Sequence, residues 1–229
     1  MNHRTPIPRT KKTASEYNVR RARQRLLEAA GEVIATVGFD RAMGKDICRR
    51  AGLNNAAINY YFGGMEGLCL AVMAEAQERL VALERIQAVV ATRKKPNDQL
   101  KGLFELLLTA ALNPPAGSWV VRVFLQHLVS PSPWLESKKN FLVRAGILRK
   151  TVSDIMGLPP DHPAVASSCI NVIAPCFLML FFDKSLIRRA FPGLGLSPEN
   201  VPALVETMSC HAVAGLHAVA RNYFRKNRS

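Results

Sequence analysis

The sequence predicts an all-α fold in two parts, and three observations predict it. Apolar residues recur at three- and four-residue spacing along most of the chain. No convincing strand alternation and no internal repeat appear. Glycine and proline stand where such helices would end or begin. The chain has 229 residues, 48% of them apolar, enough to build a sizeable core.

Residues 1–18 hold Arg4, Arg9, Lys11 and Lys12 with Pro6 and Pro8, opposed only by Glu16, and read as a flexible basic arm. From Val19 the pattern turns helical. Leu26, Leu27, Ala30, Val33, Ile34 and Val37 mark one face, and Gly38 follows as a C-terminal cap. A short helix over Met43–Arg50 buries Met43, Ile47 and Ala51, and Gly52 breaks it. Asn54 suits the N-cap of a third helix with Ala57, Ile58 and Tyr61 turned inward. Gly63-Gly64 then precedes one long helix expected from Met65 to Thr92. Pro96-Asn97 opens the next, through Leu100, Leu103, Phe104, Leu107, Leu108 and Ala111. Asn113-Pro114-Pro115 stops it. Ser118 caps a helix through Leu128, and Ser132-Pro133 opens another that Gly157 closes. An apolar helix over Ser167–Phe182 follows the rigid loop 159–163, and a final helix begins at Pro198 or Pro202 and reaches nearly to Arg225.

Lysine and arginine number 31 against 17 acids, for a formal net charge of +14. That excess points to a polyanion, nucleic acid first and an anionic membrane surface second. The longest apolar run, Cys169 to Phe182, is interrupted by Asn171 and Pro175 and falls short of the ~18–20 residues a span needs, so no membrane partner is expected. The basic N-terminus carries no apolar segment of a signal peptide. The 5 cysteines form no Cys-x-x-Cys pair, which argues against a disulfide framework or zinc site and for reduced thiols in a cytoplasmic protein. No glycine-rich phosphate loop or nucleophile elbow is present. No enzyme activity, catalytic residue, metal or cofactor is therefore expected.

Two short helices joined by a glycine-containing turn, after a longer packing helix, make a helix-turn-helix. The residues expected to face base edges are Asn55, Ala56, Asn59 and Tyr60, flanked by Asn54 and Tyr61. Asparagine pairs bidentately with adenine, and alanine touches the thymine methyl. Arg20, Arg21, Arg23, Arg25, Arg41, Lys45, Arg49 and Arg50 surround them as candidate phosphate contacts. A basic helical protein that binds DNA or membrane surfaces non-specifically is the alternative reading.

The stretch Arg25–Leu68 resembles the TetR family of bacterial transcriptional regulators in its alanine-rich first helix, Gly38-Phe39, Ile47, Ala51-Gly52, Ile58, Phe62 and Gly63-Gly64. The string Ala56–Gly64 is similar to a subgroup with an Ala-Ile-Asn-Tyr-His-Phe recognition helix, which includes regulators of drug sensitivity and export. The chain departs from the family at Ala42-Met43, where a threonine pair is usual, and at Tyr61, where histidine is usual. It departs also at Met65, where a phosphate-binding lysine is usual. The resemblance implies residues 19–64 as a DNA-binding domain and 65–229 as a helical ligand-binding and dimerisation domain. It implies a homodimer, repressing at a double-stranded palindromic operator and released by a small hydrophobic ligand. The apolar helix to Phe182 and the final helix would supply the dimer surface. Phe104, Leu108, Trp119, Phe124, His127, Trp134, Phe141 and Met179 would line the ligand pocket.

Overall fold

A computed structural model describes residues 11–113, 119–129 and 138–226. Among these, eleven α-helices and one 3-10 turn follow in order with no strand. The chain divides into two compact units, Met1–Glu75 with Arg122–Leu135, and Ala76–Val121 with Glu136–Ser229.

The first unit opens with α1 (Lys11–Val37). The helix starts eight residues before the expected Val19, because Lys11–Asn18 contain neither proline nor glycine. The expected arm is thus helical from Lys11 onward, and its first ten residues lie outside the described set. Leu26, Leu27, Ala30 and Ile34 are fully buried, and Gly38 ends the helix at φ 87°. Then come α2 (Gly44–Ala51) and α3 (Ala56–Phe62). Helices of 8 and 7 residues are too short to persist alone in water. What holds them is one buried face each: Ile47, Cys48 and Ala51 on α2, Ala57 and Ile58 on α3. Gly52 caps α2 in the left-handed region (φ 63°), where a Cβ is costly. The N-cap of α3 is Asn55, one residue later than expected, and it makes no side-chain cap bond.

The second unit corrects the expected single helix over Met65–Thr92. The chain forms α4 (Met65–Leu80) and α5 (Leu83–Thr92). Ala82 is extended at φ −56°, ψ 136°. The break leaves backbone groups that distant side chains satisfy. The Arg144 guanidinium donates to the Val81 carbonyl at 3.2 Å and to Glu78 Oε2 at 3.1 Å. That same Glu78 oxygen accepts from the Leu83 N–H at 3.3 Å.

Four further long helices build this unit: α6 (Pro96–Leu112), α7 (Val120–Val129, whose later part belongs to the first unit), α8 (Lys138–Met156) and α9 (Pro163–Phe181). The α9 start lies before the expected Ser167. Pro163 sits at its first position, and the His162 imidazole Nδ1 accepts from the Ala164 N–H at 3.1 Å. A short helix the sequence did not suggest, α10 (Lys184–Ala190), is capped by Asp183, whose carboxylate accepts from the Ser185 N–H at 2.7 Å. A hydrogen bond from the Ser185 side chain, and then this backbone bond, hold the Asp183 carboxyl below its usual range. After the 3-10 turn Pro198–Asn200 the chain closes with α11 (Val201–Lys226). One core joins Leu100, Phe104 and Leu108 of α6 to Val152 and Met156 of α8, Val165 and Val172 of α9, and Val205 and Leu216 of α11.

By length and composition α9 and the 198–225 stretch could cross a membrane, contrary to the short run read from sequence. Both, however, bury residues in the α6-centred core.

Replacing Arg144 by Met should unpair the Val81 carbonyl and release Glu78, costing about 1–3 kcal/mol. Thermal unfolding would register this as a Tm lowered by several degrees. An unchanged Tm would mean the break forms without the arginine.

Candidate nucleic-acid interface

Ala57 and Ile58 are 7% and 5% exposed, so they fix the rotation of α3. With that face buried, Asn55, Ala56, Asn59 and Tyr60 turn to solvent, and Asn54 lies exposed just before them. Tyr60 is 75% exposed. Tyr61 is half-buried and meets Tyr60 edge-on, with ring centroids 4.8 Å apart. The side chains expected to read base edges thus share one surface: two carboxamides, a methyl and a phenol. Such a surface offers donors, acceptors and apolar contact in a strip narrow enough for a major groove.

The α3–α4 junction is tight. Gly63 and Gly64 adopt φ 73° and 130°, and a Cβ on Gly67 would run into the Phe62 carbonyl oxygen. The close approach at Gly67 was not foreseen from sequence, since nothing in its spacing distinguishes it from an ordinary helical glycine. Met65 opens α4 half-buried. Its Sδ lies 3.4 Å from where a Cβ on Gly44 would stand, so the side chain lies over α2 where the family has a phosphate-binding lysine.

The basic residues divide into two groups. Arg25 donates to the carbonyls of Ala51 and, at 3.3 Å, Gly52. It therefore caps the C-terminal end of α2, where the helix dipole is negative. Arg50 pairs with Glu32, tying α2 to α1, and Arg49 pairs with Asp46 at 2.8 Å. The Arg23 guanidinium lies 4.8 Å from the Phe62 ring centroid, a cation–π contact at the end of α3. These four were expected around the DNA, and each has a partner inside the head. Arg20, Arg21, Arg41 and Lys45 are exposed and form no ion pair among the described residues. The head thus carries, besides Asn55, Asn59, Tyr60 and Tyr61, exposed cations from the first half of α1, the α1–α2 turn and the start of α2.

Burial pushes the Cys69 thiol up to about 11, with the Asp40 charge adding to it, and the Cys176 thiol up to about 12. Both stay protonated at neutral pH and are poor nucleophiles. Among the described residues no group of His, Cys, Asp or Glu is arranged to hold a metal.

With this geometry in place the comparisons are decisive for the head. The family model for bacterial regulatory proteins, tetR family, matches residues 26–72. The head is of the TetR type. The match begins at Leu26, in the buried stripe of α1, and ends at Val72, fully buried in α4. It thus spans the TetR-type tri-helical unit and its junction to α4. No curated protein matches the chain in sequence. Solved structures match most of its length. The fatty acid degradation regulator FadR from Bacillus halodurans shares 16% identity at a TM-score of 0.60, covering 84% of this chain and 98% of that one. The ketosteroid transcriptional regulator KstR2 of Mycobacterium tuberculosis shares 17% at 0.56, covering 84% and 93%. The hemolysin II transcriptional regulator HlyIIR shares 16% at 0.55, covering 83% and 98%. At these identities the likeness is one of fold: a TetR-type head followed by a helical domain like those of TetR regulators.

The residues expected to line a ligand pocket are scattered. Phe104 and Leu108 are buried in the α6 core. Trp119 is 2% exposed, with the Arg79 guanidinium 5.2 Å from its ring centroid. Met179 is partly buried against the same core as Phe104. Phe124 is half-buried and Phe141 is 53% exposed. The His127 side chain and Trp134 lie outside the described residues. A groove of about 340 Å³ does open among α6, α9 and α11. It is lined by Phe104, Asn171, Val172, Pro175, Met208, His211 and Ala212. Only Phe104 belongs to the expected set. The signal for the rest was present in part, since Asn171 and Pro175 are the two residues that interrupt the apolar run.

The two groups of cations should separate by salt titration of duplex binding. Arg41→Ala or Lys45→Ala should each lower the slope of log affinity against log salt by about 0.9. Arg25→Met should leave that slope unchanged while lowering Tm and affinity together. A flattened slope for Arg25→Met would place its guanidinium on phosphate.

Proposed function

We propose that the chain is a TetR-family transcriptional repressor that binds a palindromic operator as a homodimer and leaves it on binding a small hydrophobic ligand. The observation that carries the reading is α3, which buries only Ala57 and Ile58 and turns Asn55, Ala56, Asn59 and Tyr60 outward from a TetR-type head. Asn54 and Tyr61 flank this reading set. Arg23, Arg41 and Lys45 complete the interface, with Arg23 working from its stack on Phe62.

One seven-residue helix reads too few base pairs for specificity, so two copies would read two half-sites about one helical turn, ~34–36 Å, apart. The dimer surface is supported by apolar side chains left exposed on the last two long helices: Ile170 (67%) and Leu178 (47%) on α9, Val219 (40%) and Phe224 (46%) on α11. Apolar faces of that extent are unusual on a monomer. The string Ala56–Gly64 resembles that of the drug-sensitivity subgroup, and two proteins of similar fold are a fatty acid degradation regulator and a ketosteroid transcriptional regulator. Both point to an apolar ligand. Release follows as a population shift: the ligand favours a dimer whose two heads are spaced wrongly for successive major grooves, to the extent of its differential affinity for the two states. Such a protein works in the cytoplasm, where the DNA is.

Selection from a random duplex pool tests this directly. A repressor recovers a palindrome and prefers it over random duplex by ~10³-fold or more. Equal affinity for all duplexes would establish the non-specific alternative. On the selected duplex, Asn59→Ala should cost about 1–3 kcal/mol of discrimination at one base pair per half-site. Met65→Lys should restore a phosphate contact, tightening binding and steepening the salt slope by about 0.9 per head. No change in either quantity would show that Met65 stands clear of the backbone.

A further inference from the structure

The groove among α6, α9 and α11 combines apolar walls with acceptors that lack donors. Pro175 lies inside α9 and has no N–H, so the Asn171 carbonyl four residues earlier loses its intrahelical donor. Asn171 and Pro175 both line the groove. On α11, His211 Nδ1 stands 3.0 Å from the Thr207 carbonyl. A carbonyl only accepts, so Nδ1 is the donor of this contact, and in the tautomer with its hydrogen on Nδ1 the other nitrogen, Nε2, is an acceptor. Phe104, Val172, Pro175, Met208 and Ala212 supply the apolar surface. None of the lining residues is a lysine or arginine, so a carboxylate or phosphate would enter without a counter-charge. A volume of about 340 Å³ lies at the small end of ligand pockets, which run ~300–1,000 Å³.

We propose that this groove binds a compact, neutral, apolar molecule bearing a hydroxyl or N–H donor, a phenol or alcohol, with the donor shared between the Asn171 carbonyl and His211 Nε2. The assignment deepens the repressor reading, on which only its regulatory consequence rests. Of the residues expected to line the ligand pocket it keeps Phe104, and it gives the ligand's chemistry. A second copy is the competing occupant. Asn171 and Pro175 sit one position round α9 from the exposed row Ile170, Ala174 and Leu178, so the groove opens on the flank of that row.

The test uses the full chain, titrated calorimetrically with para-propylphenol and with its methyl ether, which keeps the apolar body and loses the donor. The phenol should bind about fivefold or more tightly than the ether, the net gain of a hydrogen bond whose acceptors are otherwise met by water. Pro175→Ala returns an N–H to the Asn171 carbonyl, and His211→Phe removes the imidazole acceptor. Each should bring the two probes to within about threefold, with helix content retained. Ala212→Trp should abolish binding of both by filling the groove. Equal binding of phenol and ether to the unmodified chain overturns the proposal, as does phenol binding indifferent to Ala212→Trp. So does a chain that takes neither probe as a dimer and takes the phenol only on dilution to monomers, because the second copy then owns the groove. Duplex selection reads the repressor separately: a chain that binds the phenol yet prefers no duplex keeps the groove and loses the regulation.

Discussion

The burial of one face of α3 is the constraint from which the interface follows. A helix of seven residues has no independent stability, because nucleation costs more than its few hydrogen bonds return. It persists because Ile58 and Ala57 leave water, and a fully buried isoleucine contributes about 1.5–3 kcal/mol. That same burial dictates what remains outside. At 100° per residue, fixing positions 57 and 58 inward turns 55, 56, 59 and 60 outward. The reading surface is therefore the complement of the core, and anything that loosens the core also blurs the interface. Gly52, Gly63 and the close approach at Gly67 serve this geometry by letting the chain enter and leave α3 within a residue or two.

Electrostatics adds a second layer, and the net charge of +14 overstates what is available to a polyanion. Arg25, Arg49 and Arg50 are held by Ala51, Asp46 and Glu32. All three lie at or against the C-terminal end of α2, where backbone carbonyls and the helix dipole attract cations. They make the turn rigid. Arg20, Arg21, Arg41 and Lys45 are exposed and can exchange counterions for phosphates. Rigidity and affinity thus come from different arginines in the same short segment. Surface pairs such as Arg49–Asp46 contribute little to stability individually, ~0.2–1 kcal/mol; their weight lies in orienting the turn.

Much of this was legible in the chain. Gly38, Gly52 and Gly63-Gly64 mark the ends of the first three helices, and the apolar spacing between them predicts which side is core. What was not legible depends on partners far away in sequence. The division of 65–92 into α4 and α5 is enforced by Arg144, 66 residues from Glu78, while the local sequence there has no proline or glycine to announce it. Helix α10 is short, and only its Asp183 cap hints at it. The partners of Arg25 and Arg50 within the head are not legible, because a basic residue beside a helix-turn-helix looks the same in sequence whether its partner is a phosphate, a carboxylate or a carbonyl. The pocket residues were chosen as aromatic and apolar side chains at helical spacing. That criterion selects core as readily as cavity, as Leu108 and Trp119 illustrate.

Pro175 deserves a physical reading of its own. A proline in a helix interior costs about 3 kcal/mol or more, through a lost hydrogen bond and a clash with the carbonyl four residues earlier. In the buried stripe of α9, beside Val172 and Cys176, an orphaned carbonyl would add its desolvation penalty to that cost. Pro175 is instead exposed, and so is Asn171. The freed carbonyl can therefore be met by water or by a bound donor, and the penalty is confined to the lost helical bond. In hydrocarbon that carbonyl would need a partner from a neighbouring helix, a side chain or a trapped water. Asn171 and Pro175 thus stand together at the groove, where the break in the helical ladder adds no burial penalty.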